Sequence, residues 1–347
     1  MDYSITIDTM NKIGVLLIQL GTPDSPEKKD VRRYLSEFLN DPRVIDLPWL
    51  KRTLLVNGII VPFRTKNSSK IYKELWELGN GVSPLITHTE NFKKKLAMKL
   101  QDKADVFVAM RYQNPSIPSV LAEMKKKNYE KIVVLPLFPQ YASASNGSAI
   151  EKVMDEIKKW WVIPNVEFIS QFWDNEGYLN SLVENAKALN PETYDHVLFS
   201  YHGLPQSQVD KVNLSGKCQN CLCETEVNDQ NKFCYKATCF ATSRALADKI
   251  GLRPDQYTVC FQSRLDDKWI TPYSDKVVEE LGKQGKRRLL VFSPAFVADC
   301  LETLIEIGVE YQEILDENGG GEVKLVPSCN DSDLFVDGIY DLLKDKF

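Results

Sequence analysis

The sequence lacks three features that would each indicate a particular class of protein. It has no basic excess, since 43 lysines and arginines stand against 48 aspartates and glutamates and the formal net charge is −5, which argues against nucleic-acid binding. It has no apolar run near the roughly 18 residues that a membrane-spanning helix needs. Residues 1–11 contain two aspartates but no basic and no long apolar region, so we do not expect them to be a signal peptide. We therefore expect a cytoplasmic protein.

Histidine is scarce, with three residues, whereas most of the eight cysteines are concentrated in one segment. Without an export signal, such cysteines are expected to be thiols or metal ligands rather than disulfides. Five of them lie within 22 residues, namely Cys218, Cys221, Cys223, Cys234 and Cys239. Close thiolates in a reducing compartment indicate either zinc or an iron–sulfur cluster.

Strand-like and helix-like segments alternate along the 347 residues, a length that allows two domains. Strands are predicted at residues 14–20, 106–110, 132–137, 166–169, 197–201, 258–262, 289–292 and 323–326. Helices are predicted at residues 29–39, 116–128, 145–160, 178–189, 235–250, 275–284, 300–317 and 332–344. This alternation predicts an α/β protein with parallel sheets covered on both faces. Two such halves fit two Rossmann-like domains with a cleft between them.

One segment, residues 47–63, breaks the alternation because apolar residues dominate it and lysines and arginines flank it. Apolar residues beside cations suit an element that lies at a membrane interface. The same pattern also suits a core helix with a solvated edge. The residues alone leave both interpretations open.

The first candidate site is His202, in the motif Ser-Tyr-His-Gly-Leu-Pro at residues 200–205. The motif follows an apolar run and therefore predicts a buried strand that opens into a loop. Ligands of open α/β sheets bind at the carboxyl ends of strands, and a histidine there can act as a base or a metal ligand. The alternative is a histidine that only forms a hydrogen bond to its loop.

The second candidate segment, residues 292–304, predicts a strand end, a turn and the start of a helix that carries carboxylates. Glu302, Glu306 and Glu310 follow at i, i+4 and i+8, so an α-helix would place them on one face. Like charges at this spacing destabilise a helix by roughly 0.2–0.5 kcal/mol per pair. Such a row is either a solvated face or a functional one. Asp299 lies near the helix start, where a carboxylate can cap amides.

Taken together, these two segments resemble ferrochelatase, the enzyme family that inserts ferrous iron into a porphyrin to make haem. Further similarity follows in family order from about Gly14 to the C-terminus. It includes Leu-Gly-Thr-Pro at 20–23, Pro-Arg-Val-Ile at 42–45, Met-Arg-Tyr at 110–112, Leu-Pro-Leu-Phe-Pro-Gln-Tyr at 135–141 and Phe-Gln-Ser-Arg at 261–264. The chain departs from the family in a shorter stretch at 264–269 and in the cysteine-rich insertion.

The resemblance implies a role for each candidate residue. His202 would bind iron, abstract the pyrrole protons, or do both, with Glu302 as its partner. Glu306 and Glu310 would continue a path for protons or iron, with Asp299 either in the path or only a cap. The family positions that line the porphyrin pocket are Arg111, Tyr112, Trp269 and Phe296.

The resemblance also implies the domain organisation. The first Rossmann-like domain would span residues 1–170 and include a lip over the porphyrin pocket at residues 47–66. The C-terminal helical segment, residues 325–347, would pack back on it. The second domain would span residues 171–324 and carry the insertion at 206–239. A lip of this kind can rest on a membrane as a peripheral contact, and the oligomeric state stays open.

For the insertion, the family favours a [2Fe–2S] cluster, with zinc as the alternative. Cys239 matches a cysteine of relatives without the insertion, which leaves Cys218, Cys221, Cys223 and Cys234 as ligands. The expected substrates are ferrous iron and protoporphyrin IX, with coproporphyrin III as the alternative. A different class of function is a non-catalytic haem- or iron-responsive protein that uses the cluster as a sensor.

Overall fold

Apolar runs form two parallel sheets in the computed structural model, which describes residues 12–213, 218 and 222–347. The strands of the first sheet are β1 (Ile13–Gln19), β2 (Asp105–Met110), β3 (Lys131–Pro136) and β4 (Asn165–Phe168). Those of the second are β5 (His196–His202), β6 (Tyr257–Gln262), β7 (Arg288–Phe292) and β8 (Glu322–Leu325). The spatial orders are β2-β1-β3-β4 and β6-β5-β7-β8. The two halves thus repeat one topology, which confirms the predicted α/β fold with two Rossmann-like halves.

Helices cover the sheets on both faces. In the first half they are α1 (Lys28–Leu39), α2 (Trp49–Leu55), α3 (Val61–Leu78), α4 (Pro84–Leu100), α5 (Ile117–Lys127) and α6 (Ser148–Ile157). In the second half and at the C-terminus they are α7 (Glu176–Lys187), α8 (Gln206–Val212), α9 (Tyr235–Ile250), α10 (Ser274–Lys283), α11 (Tyr311–Glu317) and α12 (Asp333–Leu343). Both central strands are almost wholly buried, as continuous apolar runs in parallel sheets require. The sequence analysis had no prediction for α4.

The acidic segment is a π-helix rather than the predicted α-helix. The π-helix spans Glu302–Glu310 and continues into α11. A π-helix closes i→i+5 hydrogen bonds and occurs frequently at functional sites. The apolar side chains of Leu301 and Leu304 pack with α1 and α3 of the first half. The row of glutamates therefore begins where the two halves of the molecule meet.

The C-terminal helix α12 packs between α4 and α7. Phe92 of α4 and Phe335 of α12 stack with ring centroids 4.7 Å apart. On the other side, a Cβ on Gly177 would lie 2.4 Å from the Cα of Gly338, so a glycine is needed for this close approach of α7 and α12. These contacts tie α12 to helices of both halves, and the exact domain boundaries stay a prediction.

The predicted lip is formed by α2, a π-helical turn at Val56–Ile60 and the start of α3. Its outer face is apolar: Trp49 is 71% exposed and Phe63 is 81% exposed, whereas Val56 and Val61 are buried. Among the described residues, no helix combines the length and apolar content needed to cross a membrane.

Candidate active site

His202 ends the central strand β5, at the carboxyl edge of the second sheet. Its ring Nδ1 lies 2.7 Å from the carbonyl oxygen of Gly203. Because a carbonyl oxygen can only accept, Nδ1 must carry the proton in this bond. The neutral imidazole then keeps its lone pair on Nε2, which can bind a metal or accept a proton.

The loop after His202 is tightly packed. A Cβ on Gly203 would lie 2.8 Å from the main-chain oxygen of Gln262 and 3.2 Å from the ring of Trp269, so this position favours glycine. The rings of His202 and Trp269 are 6.4 Å apart. The hydroxyl of Tyr235 donates to the main-chain oxygen of His202 at 2.9 Å. These contacts fix the strand end and bring two predicted site residues, His202 and Trp269, together.

The three glutamates run from the interior to the surface. Glu302 and Glu306 are partly buried, and Glu310 is exposed. Burial, followed by the charge of Glu302, raises the pKa of Glu306 to about 7. Desolvation and then the neighbouring Glu313 also raise the pKa of Glu310. The row therefore contains one carboxyl group, that of Glu306, which can take up and release a proton near neutral pH.

Glu302 lies among buried groups of both halves. Burial raises the pKa of Tyr34 and of Cys300 well above the usual values, and the charge of Glu302 raises both further. In the described part of the chain, no hydrogen bond joins the side chains of His202 and Glu302. Their connection runs through Gln262, which pairs with His202 in the sheet and whose Nε2 lies 3.5 Å from the main-chain oxygen of Glu302.

Asp299 has contacts of a structural kind. Its carboxylate accepts hydrogen bonds from Asn330 Nδ2 at 2.8 Å, from the main-chain nitrogen of Ser328 at 3.2 Å and from Thr303 Oγ1 at 3.3 Å. These bonds tie the start of the π-helix to the loop before α12. They favour the capping interpretation, and a role of Asp299 in proton transfer stays a prediction.

Arg111 and Tyr112 lie on a buried carboxylate that the sequence analysis missed. Asp41 accepts hydrogen bonds from Arg111 at 2.6 Å, from Tyr112 at 2.9 Å and from Ser148 at 2.5 Å. Tyr112 is 1% exposed and packs edge-on against Phe38. The structure gives both predicted pocket residues structural partners, and their contact with substrate stays a prediction.

Phe296, the last predicted pocket residue, is partly buried. It packs against an apolar group formed by Leu85, Ala298 and Cys300. Cys300 is itself adjacent to Glu302, so Phe296 lies close to the beginning of the glutamate row.

The sequence signal that could have identified Asp41 and Gln262 was present, because each stands within or next to a motif of the family resemblance.

The cysteine-rich insertion is only partly described. Cys221 lies outside the described residues. Cys223 and Cys234 are buried in the main apolar cluster, and Cys218 packs against that cluster. Burial lowers the pKa of Lys236, at the start of α9, whereas its hydrogen bond to Glu224 and the nearby Cys223 and Cys218 raise it. The sulfurs of Cys223 and Cys218 therefore lie near the start of α9. The described residues alone contain no group of three or more metal ligands.

Comparison with known proteins gives one family over nearly the whole chain. The model of the ferrochelatase family matches residues 12–347. The ferrochelatase of Legionella pneumophila (strain Lens) is 41% identical over 339 residues, covering 96% of this chain and 99% of that protein. The ferrochelatase of Coxiella burnetii (strain Dugway 5J108-111) is 41% identical over 350 residues, with coverages of 98% and 95%.

Solved structures share the fold at low sequence identity. SirB from Bacillus subtilis with Fe3+ matches with a TM-score of 0.55 at 10% identity, over 96% of this chain and 94% of that one. CbiX, described as the terminal enzyme for siroheme biosynthesis in denitrifying bacteria, matches with a TM-score of 0.50 at 11% identity, over 96% and 99%. At such identities the likeness shows the chelatase fold alone.

Proposed function

The chain belongs to the ferrochelatase family, and we propose that it inserts ferrous iron into protoporphyrin IX with His202 and Glu302 at the metal-transfer centre. The reaction consumes one Fe2+ and one free-base porphyrin and yields haem and two protons. The observation that carries the assignment of His202 is its hydrogen bond to Gly203, which leaves the Nε2 lone pair available.

A base must take each pyrrole proton before the nitrogen can bind iron. Nε2 of His202 supplies this base at the carboxyl edge of the sheet, where open α/β sheets bind ligands. Glu302 begins the π-helix and supplies a carboxylate at the junction of the two halves. Neutral imidazole and carboxylate are both ligands of divalent iron in proteins.

The protons then need an exit. Glu306 follows Glu302 toward the surface and has a raised pKa, so it can exchange a proton near neutral pH. Glu310 is exposed and completes the row. We propose that protons leave along Glu302, Glu306 and Glu310, although the same row suits the entry of iron.

The apolar outer face of the lip favours a porphyrin substrate that has few charged substituents. The exposed lip residues include Trp49, Leu50, Leu54, Ile59 and Phe63. Protoporphyrin has two carboxylates where coproporphyrin has four, so more of its rim is compatible with an apolar mouth. The same side chains suit a peripheral contact with a membrane surface, where apolar residues flanked by cations bind.

An anaerobic assay with ferrous iron tests this function. The wild-type protein should metallate protoporphyrin IX with a higher kcat/KM than coproporphyrin III. A reversed preference would assign coproporphyrin III as the substrate. Binding of porphyrin or haem without turnover of either would instead support a haem- or iron-responsive protein and contradict the enzymatic proposal.

We also propose that Cys218, Cys221, Cys223 and Cys234 hold a [2Fe–2S] cluster. What supports the proposal is the kind of ligand: four thiolates are the usual ligands of such a cluster, and Cys223 and Cys234 are buried in the apolar cluster that Cys218 contacts. The three described cysteines do not by themselves form a group that could hold a metal. When bound, the cluster would crosslink the insertion to the start of α9 through iron–sulfur bonds. Four thiolates also suit zinc, so metal and sulfide analysis decides between them.

A further inference from the structure

Glu306 is held by two donors at the end of β6. Gln262 Nε2 lies 3.2 Å from Glu306 Oε2, and the hydroxyl of Ser263 donates to the same oxygen. Ser263 has a φ of +61°, a left-handed conformation that non-glycine residues adopt infrequently and that clusters at functional sites. The strand end is thus shaped so that two successive residues reach one carboxylate.

Gln262 is itself oriented by a buried chain of hydroxyl groups. Ser200 Oγ lies 2.8 Å from Gln262 Oε1 and 2.8 Å from the hydroxyl of Tyr311. Because an amide oxygen only accepts, Ser200 must donate to Gln262, and the single hydroxyl proton of Tyr311 is then available for Ser200. With Oε1 committed to Ser200, the amide nitrogen of Gln262 faces Glu306.

The hydrogen bonds from Gln262 and Ser263 hold Glu306 in place against the repulsion between the ionised glutamates of the row. Glu302 and Glu306 repel each other when both are ionised, and an ionised Glu306 would be better solvated if its side chain turned outward to water. Gln262 is 4% exposed and Ser200 and Tyr311 are buried, so the amide of Gln262 cannot follow the carboxylate outward. A buried, fully paired network of this kind holds one geometry strongly.

We propose that Gln262 is a positioning residue for metallation, which keeps the Glu306 carboxylate at the inner end of the row within reach of Glu302. The proposal rests on the proposed function of the glutamate row. Gln262 itself lies behind Glu306 and acts through it. The sheet register places Gln262 directly beside His202, so one strand pair sets the positions of both the base and the proton exit.

Replacement of Gln262 by methionine tests the proposal, because methionine has nearly the same length and no amide. Q262M should lower kcat about tenfold, a barrier increase of ~1.4 kcal/mol, while KM for the porphyrin stays within about twofold. Y311F removes a donor that is three hydrogen bonds away from Glu306, and it should lower kcat less. S181A is the matched control, since Ser181 is an equally buried hydroxyl that pairs with Ser332 outside this network, and it should keep wild-type kcat.

A crystal structure of Q262M gives a readout that does not depend on activity. The proposal predicts that the Glu306 carboxylate moves outward to solvent, away from Glu302. It is overturned if the carboxylate stays in place, if kcat is unchanged, or if KM rises as much as kcat falls. If Q262M does not fold, S200A carries the test, because it removes the donor to Gln262 Oε1 that turns the amide nitrogen toward Glu306. Absence of wild-type metallation would refute the proposed function, and the crystallographic result would still decide the role of Gln262.

Discussion

The 2.7 Å contact between His202 Nδ1 and the carbonyl oxygen of Gly203 determines which ring nitrogen is available for chemistry. The proton stays on Nδ1, and the ring is oriented by a main-chain group that does not titrate. Because Gly203 also packs against Trp269, the carbonyl cannot rotate freely. A base held in this way presents the lone pair of Nε2 in one direction before it accepts a proton.

Replacement of His202 by alanine should abolish porphyrin metallation while the fold is kept. Loss of a positioned general base lowers rates by about 10²- to 10⁴-fold. The measurement is kcat/KM for ferrous iron and porphyrin under anaerobic conditions, with circular dichroism to confirm folding. His88→Ala is the control, because His88 is partly exposed near Asp331 and should keep wild-type activity. Retention of more than about a tenth of the wild-type rate, less than ~1.4 kcal/mol in the barrier, would exclude the assigned role.

The order of the glutamate row predicts a gradient of effects. Glu302→Gln should lower kcat by about 100-fold, since Glu302 is the innermost carboxylate. Glu310→Gln should lower it by less than about fivefold, ~1 kcal/mol, because Glu310 is exposed and water can replace it. Steady-state kinetics of the two variants side by side make the comparison. Equal losses would mean that the row is not an ordered path.

Glu306 should make stability depend on pH in a defined direction. Its pKa in the folded protein, about 7, lies above the ordinary value of 4.5, so the folded state favours the protonated form. This contribution is fully present below pH 4.5 and is lost as the pH rises through 7. Glu306→Gln, which mimics the protonated carboxyl, should therefore raise the free energy of unfolding at pH 8 by up to ~3 kcal/mol and change it little at pH 4.5.

Urea unfolding at pH 4.5 and pH 8 measures this difference. Glu317→Gln serves as the control, because Glu317 is exposed on α11 and should show no pH-dependent gain. If Glu306→Gln and wild type lose stability in parallel between the two pH values, the burial of Glu306 does not govern the dependence.

The elements that the sequence predicted well are those that local pattern determines. A strand was predicted at residues 197–201 because apolar residues stop at a small-residue turn, and β5 covers this range with one more residue at each end, His196 and His202. The helix over Tyr235–Ile250 was predicted with its observed bounds. In both cases hydrophobic periodicity and adjacent turn residues carry the information.

The features that the sequence did not predict depend on distant partners or on backbone detail. The pairing of Arg111 with Asp41 joins residues 70 positions apart, and no local pattern records it. The π-helix at Glu302–Glu310 has a residue pattern that also fits an α-helix, because the glutamate spacing is compatible with both. Gln262 was part of a motif, but its role follows from Ser200 and Glu306, which lie on other elements.

The buried carboxylate of Asp41 should contribute strongly to stability. Asp41→Asn leaves the Arg111 guanidinium without its counter-charge, and breaking a buried pair typically costs about 3–5 kcal/mol. The free energy of unfolding by urea should fall by an amount near the lower end of that range. Asp46→Asn is the matched control, since Asp46 pairs with Lys211 at an exposed site and such pairs contribute less than about 1 kcal/mol. Equal effects of the two substitutions would show that the burial of Asp41 adds nothing to the free energy of unfolding.

The metal held by the cysteine-rich insertion can be tested separately from the catalytic role of His202. Anaerobically purified protein should be reddish and contain two irons and two sulfides per chain, because four thiolates without a histidine suit a [2Fe–2S] cluster. Cys221→Ser should bleach the protein and destabilise it, since a metal site that closes a loop contributes its binding free energy to folding. Cys239→Ser should keep the colour, because Cys239 is fully buried on α9 beside Tyr235.

A colourless protein with one zinc per chain would refute the cluster, and bleaching by Cys239→Ser while Cys218→Ser stays coloured would refute the choice of ligands. Either result would leave metallation at His202 intact, since the insertion contributes no residue to the proposed proton path.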